Sequence, residues 1–357
     1  MTEKKRLVLV GTGGFGAYWC QSIIAQVAPF AELVAAVDAD PSKHANAVEF
    51  CGLSSDRCYT DVKTALDAVP ADLVAVVVPP MFHEAVIDEA LAHGCDIICE
   101  KPIAGALEDC VRILKKVRAA GRKLVTTVSH RYAQDKQTMG AVLRSGEYGP
   151  ANYMVFRMAT DRSRDLFQVI PRNGHLSDAA WILCEAGVHV MDEIREMCGC
   201  NARSVYARAF NASWEARNNG PDSDCFLAVM EMENGIKILC EQSMTNATRR
   251  NDWGNDYIRA ECEHATVVLD NRKITVRSGI GYPAPAYAEI PLMEREDGLW
   301  EHAQIIRDLC CWIDGGPEPA CSIESNIHGL AMAFAAMESC RTGREVDPEA
   351  LLQAAMA

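Results

Sequence analysis

The chain of 357 residues carries 35 basic and 49 acidic side chains, which give a formal net charge of −14. That charge disfavours binding to nucleic acid or to an anionic membrane through the surface at large. The length exceeds the size at which a single hydrophobic core usually stops growing, so we expect two domains. No apolar run is long enough for a membrane span or a signal peptide, and the 16 cysteines include no C-x-x-C spacing. We therefore expect a cytoplasmic protein with reduced thiols and no metal site.

The first 130 residues alternate short apolar runs with segments of helical period. The run LVAVVV is continuous and β-branched, as expected of a strand buried on both faces. Strands separated by helices predict a doubly wound parallel sheet with right-handed crossovers over residues 1–130. The runs predicted as its strands are 7–11, 33–38, 73–78, 96–99 and 123–128.

The pattern changes after residue 130, where strand-like runs are joined by short turns such as ENG and CEH that favour hairpins. We expect an α+β domain over residues 131–357 that contains a large, mostly antiparallel sheet. Its predicted strands are 151–160, 204–210, 225–232, 236–244, 257–262 and 265–270. Its predicted helices include 185–198, 300–314 and 324–342.

The first predicted strand runs into GTGGFG, which has the G-x-G-x-x-G spacing of a dinucleotide-binding turn. The first glycine permits a tight turn, the second lets a pyrophosphate approach the backbone, and the third lets the helix pack against the strand. Asp38 ends the second strand and is either a ribose-binding carboxylate or a turn residue. No arginine follows it, so NAD is favoured over NADP. The loop residues expected at the cofactor are Gly11, Gly13, Gly14, Phe15 and Gly16.

A lysine follows the buried run DIIC in the segment CEKPIAG, residues 99–105. A charge at the end of a buried strand needs a partner or a function. Lys101 is therefore either the partner of Glu100 in an ion pair or a group held at the edge of a site. Beside an alcohol, its cation would stabilise the alkoxide that develops as hydride leaves the carbon.

A second cluster lies in EAGVHVMD, where Glu185, His189 and Asp192 are spaced by four and then three residues. On a helix these offsets bring the side chains to one face. The histidine suits the removal of a hydroxyl proton near neutral pH, and a carboxylate one turn away can orient it. The alternative is an ordinary solvated helix face, because Glu196 extends the acidic stripe.

The motifs GTGGFG, VVVPPMFH (76–83) and CEKPIAG together resemble the Gfo/Idh/MocA family of nicotinamide-dependent oxidoreductases, and the resemblance continues in GVHVMD (187–192). It implies that the first domain is a Rossmann domain and that Lys101 is a catalytic residue beside the nicotinamide. Three further residues would then lie at the cofactor pocket, although the histidine has an equally plausible structural role at a helix start: Pro79, His83 and Glu100.

The resemblance also bears on the second cluster. Inositol dehydrogenase-like members carry D-x-x-x-H-x-x-D, and His189 and Asp192 match this pattern. It therefore favours catalytic roles for Glu185, His189 and Asp192 over the solvated face. Glu185 stands where many members have aspartate, and this departure weakens any inference of inositol specificity.

The remaining candidates concern the substrate. Arg131 and Tyr132 follow the last strand of the first domain, and Trp181 is a possible platform for a sugar ring or a core residue. The segment 156–175 concentrates arginines that either grip an anionic or polyhydroxylated substrate or form a subunit interface or solvated surface. These arginines are Arg157, Arg162, Arg164 and Arg172.

Together these features predict an NAD-dependent dehydrogenase that acts on a secondary alcohol of a sugar, inositol or related polyol. Two alternatives stay open: a redox-neutral reaction of the glycosidase or epimerase type through transient oxidation, and a non-catalytic NAD-sensing protein. An antiparallel sheet with an apolar open face would suit a homodimer or homotetramer.

Overall fold

The computed structural model describes residues 3–161, 183–211, 225–246, 254–279 and 286–357. The chain divides into two compact units. Their ranges are Met1–Ser129 with Leu299–Ile327 for the first, and His130–Gly298 with His328–Ala357 for the second. The first unit ends one residue before the expected boundary, and it includes 299–327, which the sequence assigned to the second domain.

The first unit contains a six-stranded parallel sheet in the order β3-β2-β1-β4-β5-β6. Its strands are β1 (Lys5–Val10), β2 (Ala31–Val37), β3 (Cys58–Tyr59), β4 (Leu73–Val76), β5 (Asp96–Cys99) and β6 (Leu124–Thr126). Its helices up to β6 are α1 (Phe15–Tyr18), a π-helical turn (Trp19–Ile23), α2 (Ile24–Val27), α3 (His44–Cys51), α4 (Val62–Ala68), α5 (His83–Ala92) and α6 (Leu107–Ala120). The predicted doubly wound Rossmann sheet is confirmed.

This strand order places β1 and β4 side by side, where the succession of strands reverses direction. All four residues of β4 are buried, which explains why its sequence is a continuous apolar run. Ligands of such sheets bind outside the carboxyl ends of the strands at this reversal point. The turns after β1, β4 and β5 are therefore where a site is expected.

The segment 299–327 completes the first unit. It contains α9 (Glu301–Ile313), as the helical period of 300–314 predicted. After α9 the segment pairs with the edge of the sheet: the Thr126 amide donates to the Cys321 carbonyl at 2.9 Å, and Val125 bridges to Ser322. Strand β6 is the last strand of the sheet, so this pairing covers an otherwise open edge.

The second unit contains an eight-stranded sheet within its described residues, in the order β14-β13-β12-β11-β7-β10-β9-β8. Its strands are β7 (Ala151–Asp161), β8 (Ala202–Phe210), β9 (Cys225–Met232), β10 (Lys237–Asn246), β11 (Tyr257–Cys262), β12 (Ala265–Asp270), β13 (Lys273–Ser278) and β14 (Ala286–Ile290). Strands β7 and β10 are parallel, and the other neighbouring pairs are antiparallel. The predicted large, mostly antiparallel sheet is confirmed, and β13 and β14 extend it beyond the strands that the sequence indicated.

The helices of the second unit are α7 (Gln134–Arg144), α8 (Val188–Cys198) preceded by a π-helical turn (Leu183–Gly187), α10 (Ile323–Thr342), which begins in the first unit, and α11 (Pro348–Met356). Helix α8 packs on the sheet, with the sulfur atoms of Cys198 and Met154 3.9 Å apart. Among the described helices, none combines the length and the apolar character that crossing a membrane would require.

The two faces of the second sheet differ. Along β7, Met154, Phe156 and Met158 are buried beneath the helices, whereas Tyr153 and Arg157 alternate with them and point to the opposite face. On that opposite face large apolar side chains are exposed: Tyr153, Tyr206, Phe210, Leu227, Val229 and Leu239. We call these six residues the open-face patch.

Candidate active site

The glycine-rich loop joins β1 to α1 at the reversal point of the sheet. A Cβ atom added at Gly11 would lie 2.0 Å from the Val77 carbonyl oxygen, and one added at Gly16 would lie 2.1 Å from the Gly11 carbonyl oxygen. Neither position has room for a side chain. Gly11 thus lets the loop pass the end of β4, and Gly16 lets the start of α1 pack closely on the loop.

Asp38 follows β2 and holds the glycine loop in place. Its Oδ2 atom accepts hydrogen bonds from the amides of Thr12 at 2.9 Å and Gly13 at 3.0 Å. Lys43 flanks the same loop, because a Cβ atom at Gly13 would lie 3.2 Å from its Cγ. A half-buried carboxylate and an exposed lysine side chain therefore both lie close to the second glycine.

Glu100 follows β5 and is buried among polar partners. Trp19 Nε1 donates to its Oε1 at 3.0 Å, Thr127 Oγ1 donates to its Oε2 at 2.6 Å, and His302 Nε2 lies 3.4 Å from its Oε1. Burial opposes its charge, but His302 and Thr127 prevail and lower the pKa of Glu100. The carboxylate thus ties three elements of the first unit to the strand end that carries Lys101.

Lys101 is half-buried directly after this anchored residue. His83, at the start of α5, is fully buried, with Nδ1 3.0 Å from the Ile103 carbonyl oxygen and Nε2 2.7 Å from the Val78 carbonyl oxygen. Burial lowers the pKa of His83. Both ring nitrogens face backbone oxygens, so His83 links the turn after β4 to the turn after β5. Pro79, in the turn after β4, is exposed.

His189 lies in the first turn of α8, in the second unit, and is buried. Its ring stacks on that of His130, with 3.9 Å between the ring centroids and 11° between the ring planes. Glu185, four residues earlier, is half-buried in the π-helical turn. Helical periodicity allowed this stretch to be a solvated helix face. It is not, because every residue of α8 from Val188 to Ile194 is buried.

Asp192 is fully buried in an ion pair with Arg131. The Arg131 Nη1 donates to both carboxylate oxygens, at 2.9 and 3.0 Å, and Nη2 donates to Glu196. Burial disfavours the guanidinium charge, but Asp192 and Glu196 outweigh it and raise the pKa of Arg131. Tyr132 is buried beside this pair, with its ring centroid 5.8 Å from the Arg131 Cζ.

Next to the histidine stack lies a buried group of charges, formed by His130, Lys136, Glu193 and Asp256. His130 Nδ1 is 3.4 Å from Glu193 Oε1, and the Lys136 ammonium is 3.8 Å from the same oxygen. Lys136 also lies 2.7 Å from Asp256 Oδ2. His130, Glu193 and Asp256 are close enough to resemble a metal-ligand set, and the ammonium of Lys136 lies among them, nearer to Asp256 than to Glu193.

The predicted substrate residues are not all brought together. Arg157 pairs with Glu241 at 3.0 Å on the open face of the sheet, whereas α8 packs on the other face. Arg157 and α8 therefore lie on opposite faces of the sheet, because side chains alternate between faces along a strand. The role of Arg157 in substrate binding stays a prediction, beside the alternative of an interface or solvated surface. Four other predicted residues lie outside the described residues: Arg162, Arg164, Arg172 and Trp181.

Two family models match this arrangement of two units. The model described as the oxidoreductase family with an NAD-binding Rossmann fold matches residues 5–128, and the model of the GFO/IDH/MocA C-terminal domain matches residues 137–268. Together they span more than half of the chain. The chain belongs to the Gfo/Idh/MocA family. It is therefore an NAD-dependent oxidoreductase, as the resemblance implied.

Individual relatives of this Gfo/Idh/MocA protein extend over nearly its whole length. It is 33% identical to the uncharacterized protein y4oX of Sinorhizobium fredii, over 98% of this chain and 97% of that one. It is 25% identical to D-apiose dehydrogenase of Paraburkholderia graminis, over 90% and 84% of the two chains. An oxidoreductase from Agrobacterium radiobacter, crystallised with NAD⁺, L-tartaric acid and magnesium, shares the fold with a TM-score of 0.79 and 22% identity, over 98% and 99% of the chains.

The described residues of the Gfo/Idh/MocA Rossmann unit fit NAD. The loop between β1 and α1 has open space at Gly14, where an added Cβ atom would meet nothing within 4 Å. Phe15 is 49% exposed beside this opening, and its ring centroid is 5.7 Å from that of His302. Asp38 is in the position of the ribose-binding acid.

Sequence reasoning missed three groups. Lys43 lies five residues after Asp38, beyond a proline turn, and only the fold brings its side chain to Gly13. His302 is distant in sequence from the Rossmann motifs, so no local pattern links it to Glu100. Glu193 stands next to Asp192, and the offsets of three and four from His189 both place a side chain on the same helix face.

The negative charge of Asp38 and the positive charge of Lys43 at the glycine loop predict how the preference for NADH over NADPH can be altered. Asp38→Asn keeps an oxygen that accepts from the Thr12 and Gly13 amides but removes the charge that would repel a 2′-phosphate. Lys43 remains to attract that phosphate. We expect the ratio of the NADPH Kd to the NADH Kd to fall by about tenfold or more, since like-charge juxtaposition is costly. Fluorescence titration with each reduced cofactor measures the ratio.

The matched control is the double variant Asp38→Asn with Lys43→Ala. It should lose most of the gain in NADPH affinity, because the attractive charge is then absent. An unchanged ratio in Asp38→Asn would contradict the role of Asp38 at the ribose.

Proposed function

We propose that this oxidoreductase oxidises a secondary alcohol of a sugar, inositol or related polyol with NAD. The observation that carries the proposal is the buried His189 in the first turn of α8, within the motif that matches the inositol dehydrogenase pattern. The relative named D-apiose dehydrogenase supports a carbohydrate substrate. The departure at Glu185 argues against assigning inositol itself.

The chain's own residues would share the reaction as follows. His189 accepts the proton of the substrate hydroxyl, because an imidazole can hold and release a proton near neutral pH. Lys101 donates to the same oxygen and stabilises the negative charge that develops there. Bound NAD, held by the glycine loop and Asp38, would supply the hydride acceptor for the carbon that is oxidised. Glu185 orients the substrate hydroxyl, and the Asp192–Arg131 ion pair fixes the helix turn that carries His189.

Absorbance at 340 nm tests the proposal. Purified protein and NAD are incubated with separate inositols, aldoses, sugar acids and amino sugars, each alongside the Lys101→Ala variant. A rise with one class of substrate that depends on Lys101 supports the dehydrogenase. A flat trace with every substrate, despite demonstrated NAD binding, contradicts it. Product analysis then separates the redox-neutral alternative, in which substrate is consumed without NADH, from an NAD-sensing role.

We also infer that a second copy of the chain covers the open-face patch. Cross-strand register aligns Val155 with Leu239, Leu239 with Val229, and Val229 with Tyr206, so the apolar side chains form one stripe across four strands. Beside the stripe, Arg157 is paired with Glu241 within the chain. Such a neutral apolar stripe can meet its own copy without like-charge repulsion, as a two-fold interface requires.

Leu239→Glu should therefore shift the protein towards monomer. A carboxylate placed in the middle of the stripe meets the same carboxylate or an apolar surface in the partner, and both are unfavourable. Sedimentation velocity across a range of concentrations measures the change. Phe50→Glu, at an exposed apolar residue of the first unit, is the control. A wild-type protein that is monomeric throughout would refute the inferred interface.

A further inference from the structure

Behind His189 lies a carboxylate for which the proposed reaction has no role yet. Glu193 is 1% exposed and lies one helical turn after His189 on the same face of α8. Its Oε1 is 3.4 Å from Nδ1 of His130, whose ring stacks on His189. The face of the His130 ring therefore contacts the imidazole of His189, and the ring edge, at Nδ1, faces the carboxylate of Glu193.

We propose that Glu193, acting through the ring of His130, raises the proton affinity of His189 and so makes it an effective base. Glu193 and His130 are positioning residues, because neither is required to touch the substrate. This inference rests on the proposed function only for its effect on turnover. Its effect on the protonation of His189 can be measured without any substrate.

The physical basis is the charge that the imidazole acquires. As the O–H bond of the substrate breaks, its proton forms an N–H bond on His189, and the ring becomes a cation in a buried place. A buried cation is costly unless it has a compensating anion. A neutral imidazole whose N–H faces a carboxylate presents an electron-rich face, which stabilises a cationic ring stacked on it.

The neighbourhood of Glu193 leaves this carboxylate ionisable near neutral pH. Burial raises the pKa of Glu193 to about 7, while Lys136 acts in the opposite direction. Among the described residues, the charged and titratable groups that face Glu193 come from three places. These are α8 itself, α7 with the turn before α7, and the sheet with the segment that leads into β11. The groups are His130, Arg131, Asp135, Lys136, Asp192, Cys240 and Asp256.

Two of these groups are already engaged elsewhere. Lys136 lies closer to Asp256, at 2.7 Å, than to Glu193, at 3.8 Å, and it also donates to the Gly254 carbonyl at 2.7 Å. Arg131 is bound by Asp192 and Glu196. Glu193 thus lies 3.4 Å from the His130 ring, and the ammonium that it shares with Asp256 is farther from Glu193 than from Asp256.

Glu193→Gln is the direct test, because it preserves shape and removes the charge. Nuclear magnetic resonance follows the ring protons of His189, assigned by their loss in His189→Gln. In the wild type, His189 and Glu193 compete for one proton, so we expect a broad titration of the ring. In Glu193→Gln we expect a single step whose midpoint is lower by about one pH unit, the size of effect typical of a nearby opposite charge.

Turnover gives the second readout. In Glu193→Gln the acidic limb of the kcat/KM profile should move to lower pH together with the NMR midpoint, and the plateau should fall, because a weaker base is less reactive. Loss of packing alone would lower the plateau without moving the limb. Glu338→Gln, at a half-buried glutamate paired with Arg341 on α10, should change neither readout.

His130→Phe keeps a flat ring against His189 but removes the nitrogen that faces Glu193. It should lower the midpoint in the same direction, and the double variant should shift it no further than Glu193→Gln alone. An unchanged or raised midpoint in Glu193→Gln overturns the proposal. An unchanged midpoint in His130→Phe also overturns the proposal. This second variant provides the test if Glu193→Gln does not fold. A shifted midpoint in a protein that oxidises no substrate would instead contradict the proposed function.

Discussion

Replacing Lys101 by alanine should lower kcat by about 10²–10³-fold, the usual cost of removing one preorganised donor to a developing oxyanion. The affinity for NAD should change little, because the glycine loop and Asp38 are untouched. Glu100 should also hold the strand end in place, since its partners Trp19, Thr127 and His302 do not depend on the lysine. Steady-state rates at 340 nm and an NADH titration measure the two quantities separately.

Lys63→Ala is the control for removing a lysine from the first unit, because Lys63 is exposed and paired with Asp67. It should retain the wild-type rate and cofactor affinity. If Lys101→Ala lost cofactor binding and turnover to the same extent, the lysine would be part of the cofactor pocket rather than a group that acts on the reacting oxygen.

Replacing His189 by alanine should lower kcat by about 10²–10⁴-fold, the range that a positioned general base contributes. NAD binding should persist, because His189 lies in the second unit and the nucleotide fingerprint lies in the first. Added imidazole should restore part of the rate, since the missing ring leaves a space against His130. Rates with and without imidazole, together with the NADH Kd, test this expectation.

His264→Ala is the matched control, because His264 is an exposed histidine of the same unit. It should leave the rate unchanged and show no imidazole dependence. Full activity of His189→Ala would refute its role as the base, and a parallel loss of NADH binding would indicate damage beyond the reacting group.

The sequence allowed the Rossmann unit and its loop to be predicted because their physical requirements are local. Gly11 and Gly16 are needed for contacts that any Cβ atom would block, and Asp38 stands at a fixed place after the second strand. Buried parallel strands also need continuous apolar runs, which made β4 recognisable. Such features depend on a few neighbouring residues, so one sequence suffices to show them.

The candidate base could be found, but its partners could not. The spacing from His189 allowed either Asp192 or Glu193 as the neighbouring carboxylate, since both offsets lie on the same helix face. Arg131, from a distant part of the chain, pairs with Asp192 and so leaves Glu193 as the carboxylate that faces the histidine stack. Likewise, alternation along β7 shows that Arg157 and Phe156 point to opposite faces, but not which face the helices cover.

The late position of Cys321 and Ser322 in the chain has a consequence for synthesis on the ribosome. These residues pair with β6, yet they are translated only after most of the second unit. Until they emerge, the nascent Rossmann sheet presents an open edge that can recruit other strands. Helper proteins that shield nascent chains would therefore matter most during translation of the stretch between β6 and α10.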